Sequence, residues 1–188
     1  ESAVAAMVAA AVDAFGRVDC AVNNAAIKPD THPIDDADMA EFDRIIAVNL
    51  RGVMLCLKYQ IAQMLRQGGK GAIVNIGSVS SQRPQPMNAA YVASKHGVIG
   101  LTKVASLDYA PRGIRVNAVM PGAIDTPMIR QSLADYNLTE ADFAPQLSLL
   151  NRFGQPGEVA QASLWLCSDA ASFVTGHALA VDAGYLSR

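Results

Sequence analysis

Tyr91 and Lys95 stand four residues apart in the stretch AYVASK, a phenol and an amine at the spacing that puts two side chains on one helix face. A phenol with a pKa near 10 is a poor acid or base at neutral pH. An ammonium held about 4–5 Å away, at an effective dielectric near 20, favours the phenolate by roughly 3–4 kcal/mol, which is about two to three pKa units as an upper limit. Such a pair could exchange a proton with a substrate oxygen. Serine hydroxyls and asparagine amides nearby could bind a carbonyl oxygen or order a proton-carrying water. Taken alone, the pair reads equally well as a helix-surface contact worth a few tenths of a kcal/mol, so its surroundings decide.

Those surroundings alternate between helix and strand. Apolar residues at Val4, Met7, Val8, Ala11, Val12 and Phe15 make a helical stripe that Gly16 ends. Val18–Val22 (VDCAV) reads as a short strand covered on both faces. A helical pattern from about Asp38 to Leu65 is interrupted near Asn49 and stops at Gly68-Gly69. Gly71–Ser78 reads as a buried strand, Gln82–Pro86 as loop, and Asn88–Tyr109 as a helix closed by Pro111. Ile114–Gly122 is a further strand, Ala123–Phe153 a candidate mobile lid, Gly157–Ser168 a helix and Ala178–Gly184 a last strand. This alternation predicts a single α/β domain over residues 1–188: a doubly wound parallel sheet with helices on both faces.

Ligands of such sheets bind beyond the carboxyl ends of the strands. Asn23-Asn24 follow the first strand, Ser78 the second and Pro121-Gly122 the third. Three strand ends meeting at one rim make a stronger site argument than any single residue.

Here the residues carry a resemblance. Tyr91 and Lys95, Ser78 thirteen positions before Tyr91, Asn49 in VNLRG, NNAA at Asn23–Ala26, PGAIDTPM at Pro121–Met128 and the closing TGHALAVDAG resemble the short-chain dehydrogenase/reductase family, in order and spacing, along essentially the whole chain. The resemblance implies a Rossmann-like fold and an oxidoreductase moving hydride between NAD or NADP and an alcohol/ketone pair. It implies that Tyr91 exchanges the proton, that Lys95 lowers the Tyr91 pKa and bonds the nucleotide ribose, and that Ser78 holds the substrate oxygen. Asn49 would hold a water linking Lys95 to solvent. Asn23, Ala25 and Ala26 would line the ribose side, and Pro121, Gly122, Thr126 and the backbone near Ile124 the nicotinamide end. It implies pairing of the long helices between subunits in a homo-oligomer, a tetramer over a dimer.

Two departures stand out. The family usually has glycine where Ala26 and Ala183 stand, and a positive φ would strain either alanine. The glycine-rich turn that grips pyrophosphate is absent: GGKG at Gly68–Gly71 precedes its strand. With it goes the residue that selects NAD over NADP. The resemblance implies that roughly 60 residues, two strand–helix units, lie before Glu1, which would leave the first strand at an open edge. An interaction module that has lost dinucleotide binding, and a sugar-nucleotide epimerase or dehydratase, are the competing readings.

Composition narrows the classes further. A formal charge of −2 offers no basic stripe, so no nucleic-acid partner is expected. No apolar run reaches membrane-spanning length, so no membrane partner is expected either. Cys20, Cys56 and Cys167 fit neither a disulfide framework nor a zinc pattern, which points to a reducing, cytoplasmic setting. His32, His96 and His177 show no metal-ligand spacing. The seven methionines read as core, with an apolar substrate pocket as the alternative for Met87, Met120 and Met128 near the rim; Arg83 and Gln85 read as solvated loop residues, with contact to substrate as the alternative. Specificity is expected from Ala123–Phe153, Val79–Met87 and Ile27–Asp30.

Overall fold

The computed structural model describes residues 1–135 and 137–188. Helix α1 (Ser2–Phe15) stops where Gly16 turns left-handed, φ 78°, and returns its N–H to the Val12 carbonyl. Strand β1 (Cys20–Asn23) follows. Next comes one long rod: helix α2 (Met39–Ile46), a π-helical turn (Ala47–Arg51) and helix α3 (Gly52–Arg66). Strand β2 (Gly71–Ile76) leads into helix α4 (Ala89–Tyr109), and strand β3 (Ile114–Pro121) into helices α5 (Pro127–Asp135) and α6 (Glu140–Leu147). Helix α7 (Pro156–Cys167) and strand β4 (Ala178–Val181) close the chain.

The strands lie in chain order and every neighbouring pair is parallel, with Cys20 opposite Ala72, Gly71 opposite Ile114 and Ala118 opposite Ala178. Parallel neighbours require a crossover over one face, and the helices supply it on both. Val53, Leu57, Ile61 and Met64 of α3 and Val98 and Ala105 of α4 pack on Ile73, Ile114 and Val116. On the opposite face Leu166 of α7 packs on Val74, Ile76 and Val119. The alternation of Ile73 and Val74 between the two cores is the two-residue period of a strand. Burial on both faces is why β2 and β3 read as continuous apolar runs.

β1 is an edge strand. The last strand ends at Val181, earlier than its apolar run implies, because Asp182 accepts from the N–H groups of Gly184 and Leu186 and closes a turn. The Ala123–Phe153 segment holds α5 and α6; position 136 of that expected lid lies outside the described residues. The expectation that no segment reaches spanning length is corrected. The rod Met39–Arg66, 28 residues with a window of mean hydropathy 1.3, is long and apolar enough to cross a bilayer by length and composition alone, a test that core helices also pass. In this fold its α3 half is a core helix.

Of the two alanines where strain was expected, Ala183 alone has a positive φ, 50°. A Cβ in the left-handed region costs about 1–2 kcal/mol, and glycine would relieve it while giving part back as chain entropy. Ala183→Gly is therefore expected to raise the unfolding free energy by about 0.5–1 kcal/mol. A urea midpoint that stays put or falls would show that the turn carries no such strain.

Candidate active site

Parallel pairing brings the carboxyl ends of β1, β2 and β3 to one rim, and helix α4 starts there. Ser78, two residues past β2, has an extended backbone at φ −164°, and its Oγ accepts from the Ser80 N–H at 3.1 Å. Tyr91 and Lys95 occupy successive turns of α4. The Ser78 side chain lies close enough to the Tyr91 phenol to pull its pKa down. Lys95 reaches back under the ring, its Nζ 5.6 Å from the ring centroid, and donates to the Ile76 carbonyl at 2.9 Å. Ser81 Oγ donates to the Lys95 carbonyl at 2.9 Å and Ser94 Oγ to the Tyr91 carbonyl at 2.7 Å. Strand end and helix start are thus laced together around the three side chains.

Burial shapes the electrostatics of both groups. It pushes the Tyr91 phenol above its ordinary value, and the nearby Ser78 side chain offsets this in part. Lys95 is 3% exposed, and burial lowers its pKa from 10.5 to about 8. Desolvation penalises the charged form of both groups, raising the phenol and lowering the amine.

Asn49 sits in the π-helical turn and is fully buried. Its Oδ1 accepts from the Ile27 N–H at 2.8 Å and its Nδ2 donates to the Ile27 carbonyl at 3.2 Å. The interrupted helical pattern is this turn, a feature frequent at functional sites; its amide staples the loop after β1.

Asn23 points away from the rim. Its amide exchanges hydrogen bonds with Gln60 at 2.8 and 3.0 Å and donates to Asn75 at 2.9 Å; Asn75 donates to Thr102 at 3.0 Å. That buried relay joins α3, β1, β2 and α4 beneath the site. Ala25 is exposed and Ala26 half-buried just past β1. Pro121, Gly122, Ile124 and Thr126 line the chain leaving β3 and are half-buried. The Gly122 N–H donates to Val181 at 3.0 Å, and the Thr126 hydroxyl donates to the Ile124 carbonyl at 3.2 Å.

Other expectations divide. Met120 is 1% exposed and belongs to the core, because β3 is covered on both faces, whereas Met87 and Met128 are exposed. His96 is exposed and lies off the active face, its Nδ1 2.9 Å from the Val92 carbonyl. Arg83 donates to the carbonyls of Tyr185 and Arg188 at 3.0 Å each and lies over the Tyr185 ring at 4.6 Å, so it ties the loop after β2 to the C-terminal turn. Gln60, Asn75, Thr102 and Asp30 were missed as parts of the site framework. Each is a long-range partner whose spacing in sequence carries no signal.

A family profile described as enoyl-(acyl carrier protein) reductase matches residues 1–186. The chain is 49% identical to the short chain dehydrogenase/reductase astE of Aspergillus oryzae over 96% of its own length and 69% of that protein's. It is 45% identical to 2,5-dichloro-2,5-cyclohexadiene-1,4-diol dehydrogenase of Sphingobium indicum, over 98% and 74% of the two chains. The solved structure of ElxO with NADP bound superposes with a TM-score of 0.91 at 34% identity, covering 98% of this chain and 74% of that one. The chain belongs to the short-chain dehydrogenase/reductase family, NAD(P)-dependent oxidoreductases acting on alcohol groups.

The residues present fit the nicotinamide–ribose end of such a cofactor. A buried ammonium with three donors spends one on Ile76. Its burial has a stability signature. Because the folded pKa lies below the unfolded one, the unfolded chain holds the extra proton between pH 8 and 10.5. Stability from this group therefore rises with pH through that window and is lowest below pH 8. The shift corresponds to roughly 3 kcal/mol. Lys95→Met is accordingly expected to be more stable than the parent by about 2 kcal/mol at pH 7, after loss of one hydrogen bond, and the gap should close toward pH 10.5. Equal denaturation midpoints at pH 7 would refute a costly buried ammonium.

Proposed function

We propose that the chain interconverts a secondary alcohol and its ketone with Tyr91 as the general acid and base, and that the carrying observation is the convergence of Ser78, Tyr91 and Lys95 at the end of β2 with the ammonium sealed against the Ile76 carbonyl. The nicotinamide ring, when bound, supplies or accepts the hydride. In the reducing direction, Ser78 Oγ donates to the substrate carbonyl oxygen and Tyr91 Oη gives that oxygen its proton as the carbon gains hydride. The phenol rests protonated at neutral pH, as a donor must, while burial raises its pKa and so makes it a weaker acid that a charged Lys95 would have to strengthen. For oxidation the phenol must lose its proton first. Lys95, near pKa 8, is the adjacent group that favours the phenolate once charged.

Lys95 would also donate to the ribose, beside Ala25 and Ala26 and the backbone of Asn23. Pro121, Gly122, Ile124 and Thr126 would flank the nicotinamide. Asn49 would order the proton path, in addition to holding Ile27. The substrate class is a ring-borne secondary alcohol. That choice rests on the likeness to the Sphingobium diol dehydrogenase and on the exposed apolar Met87 and Met128 near the rim. Exposed Val104, Leu107 and Met54 on the α3 and α4 surfaces support the pairing of those helices in a homotetramer. The chain would work in the cytoplasm.

Tyr91→Phe keeps the ring and removes the proton. Turnover of a cyclic alcohol panel, followed by nicotinamide absorbance with NAD and with NADP, is expected to fall by about 10²–10⁴ with the melting curve unchanged. Retained turnover would remove Tyr91 from the chemistry.

A further inference from the structure

Helix α4 begins without help from its own N-cap, since the Asn88 side chain makes no cap bond. The first N–H groups of a helix have no partner inside it and need acceptors. Two of them find theirs some sixty residues away. The Asp30 carboxylate accepts from Ala90 N with one oxygen and from Tyr91 N with the other, both at 3.0 Å. Asn88 faces the other way and donates to the Asp30 carbonyl at 2.6 Å, and a bridge joins His32 to Asn88. The exchange is reciprocal: the loop caps the helix, and the cap position holds the loop. Asp30 is 7% exposed. The same loop is pinned at its other end by Asn49 on Ile27.

Asn88 is of a type that could cap those amides locally, but its side chain donates to the Asp30 carbonyl instead. A carboxylate from the β1 loop does something a local cap does not, because it fixes the helix start relative to the sheet. One of the two amides it holds belongs to Tyr91, so the constraint acts on the residue whose phenol must meet Ser78. The negative charge also faces the positive end of the longest helix in the described chain.

We infer that Asp30 is a positioning residue for Tyr91, its carboxylate setting the height of the first turn of α4 against the β1 loop and thereby the phenol against Ser78. The inference rests on the reading of Tyr91 as proton donor. A misplacement on the order of 1 Å costs up to about 10²-fold in rate, and a group that only positions the reacting residue leaves substrate binding nearly unchanged.

The test uses the full chain with nucleotide and a cyclic alcohol. Asp30→Asn keeps the shape but turns an NH2 toward a backbone donor; Asp30→Ala removes both acceptors. Each is expected to lower kcat by about 10–100-fold while KM moves less than about twofold. Hydrogen exchange over residues 89–95 should quicken at least about tenfold, with β2 and β3 amides unchanged. Adding Asn88→Asp to Asp30→Ala supplies a local cap; it should restore amide protection but not kcat. Recovery of both would make Asp30 a mere cap and overturn the inference, as would a kcat loss that disappears well below the variant's melting temperature. If Tyr91→Phe retains turnover, the proton-donor reading falls and takes this one with it. If Tyr91→Phe is dead while Asp30→Asn is fully active, the inference alone falls.

Discussion

An ammonium held out of water at the carboxyl end of a parallel sheet is the constraint around which this chain is organised. Removing a charge from water is costly unless it is hydrogen-bonded, and Lys95 is 3% exposed with the Ile76 carbonyl as its acceptor. That carbonyl is available because β2 ends at Ile76 and no longer needs it for the ladder. The lysine reaches it because α4 starts beside the same strand end, and Ser81 fixes the Lys95 carbonyl in turn. The arrangement is unfavourable for stability and is retained at a rim where the fold places ligands. A group kept at such a cost is better explained by what it does than by what it holds together.

A second polar feature lies below it. Gln60, Asn23, Asn75 and Thr102 form a relay through the core, ending where Thr102 Oγ1 donates to the Val98 carbonyl at 2.8 Å. No buried side-chain polar atom among the described residues lacks a partner. In a low-dielectric interior a fully satisfied relay rigidifies and specifies one arrangement, whereas a broken one is costly. Here it fixes β1 against β2 at Asn23–Asn75, the register position from which the loop to Asp30 departs. The rim geometry is therefore set twice, from above by Asp30 and Asn49 and from below by the amide relay.

Much of this was legible in the residues. Apolar runs and helical stripes placed the strands and every long helix to within a few residues, because burial on both faces and one-sided packing leave distinct periods, but α5 and α6 lay in a segment read only as a lid. The interruption at Asn49 was visible as a break in the stripe and proved to be a π-helical turn. Helix spacing put Tyr91 and Lys95 on one face and strand order put Ser78 at a strand end, but it was the family resemblance that joined the three. What escaped was contact between distant positions. Asn23 read as a ribose neighbour, and nothing in the sequence showed that its amide also bonds Gln60 and Asn75. Met120 is core, as methionines in this chain read first, because β3 is covered on both faces. Asp30 lay inside a segment marked for specificity, but nothing local betrays a carboxylate that caps a helix across the fold.

The coupling between Tyr91 and Lys95 has the most general physical content. Spacing on a helix fixes how near two groups come, and Coulomb's law then favours phenolate beside ammonium. It does not fix how much water each group loses, and desolvation acts on both, raising the phenol and lowering the amine. The two effects share a cause in the tight packing of the rim, so neither can be strengthened alone. Opening the site to water would restore the charge on Lys95 but weaken its field at Tyr91, since screening grows with hydration. Closing it further would strengthen the field of a lysine less able to carry charge. A folded pKa of about 8 lies between these limits: the amine still takes up a proton near neutral pH, in surroundings dry enough for that charge to act on the phenol.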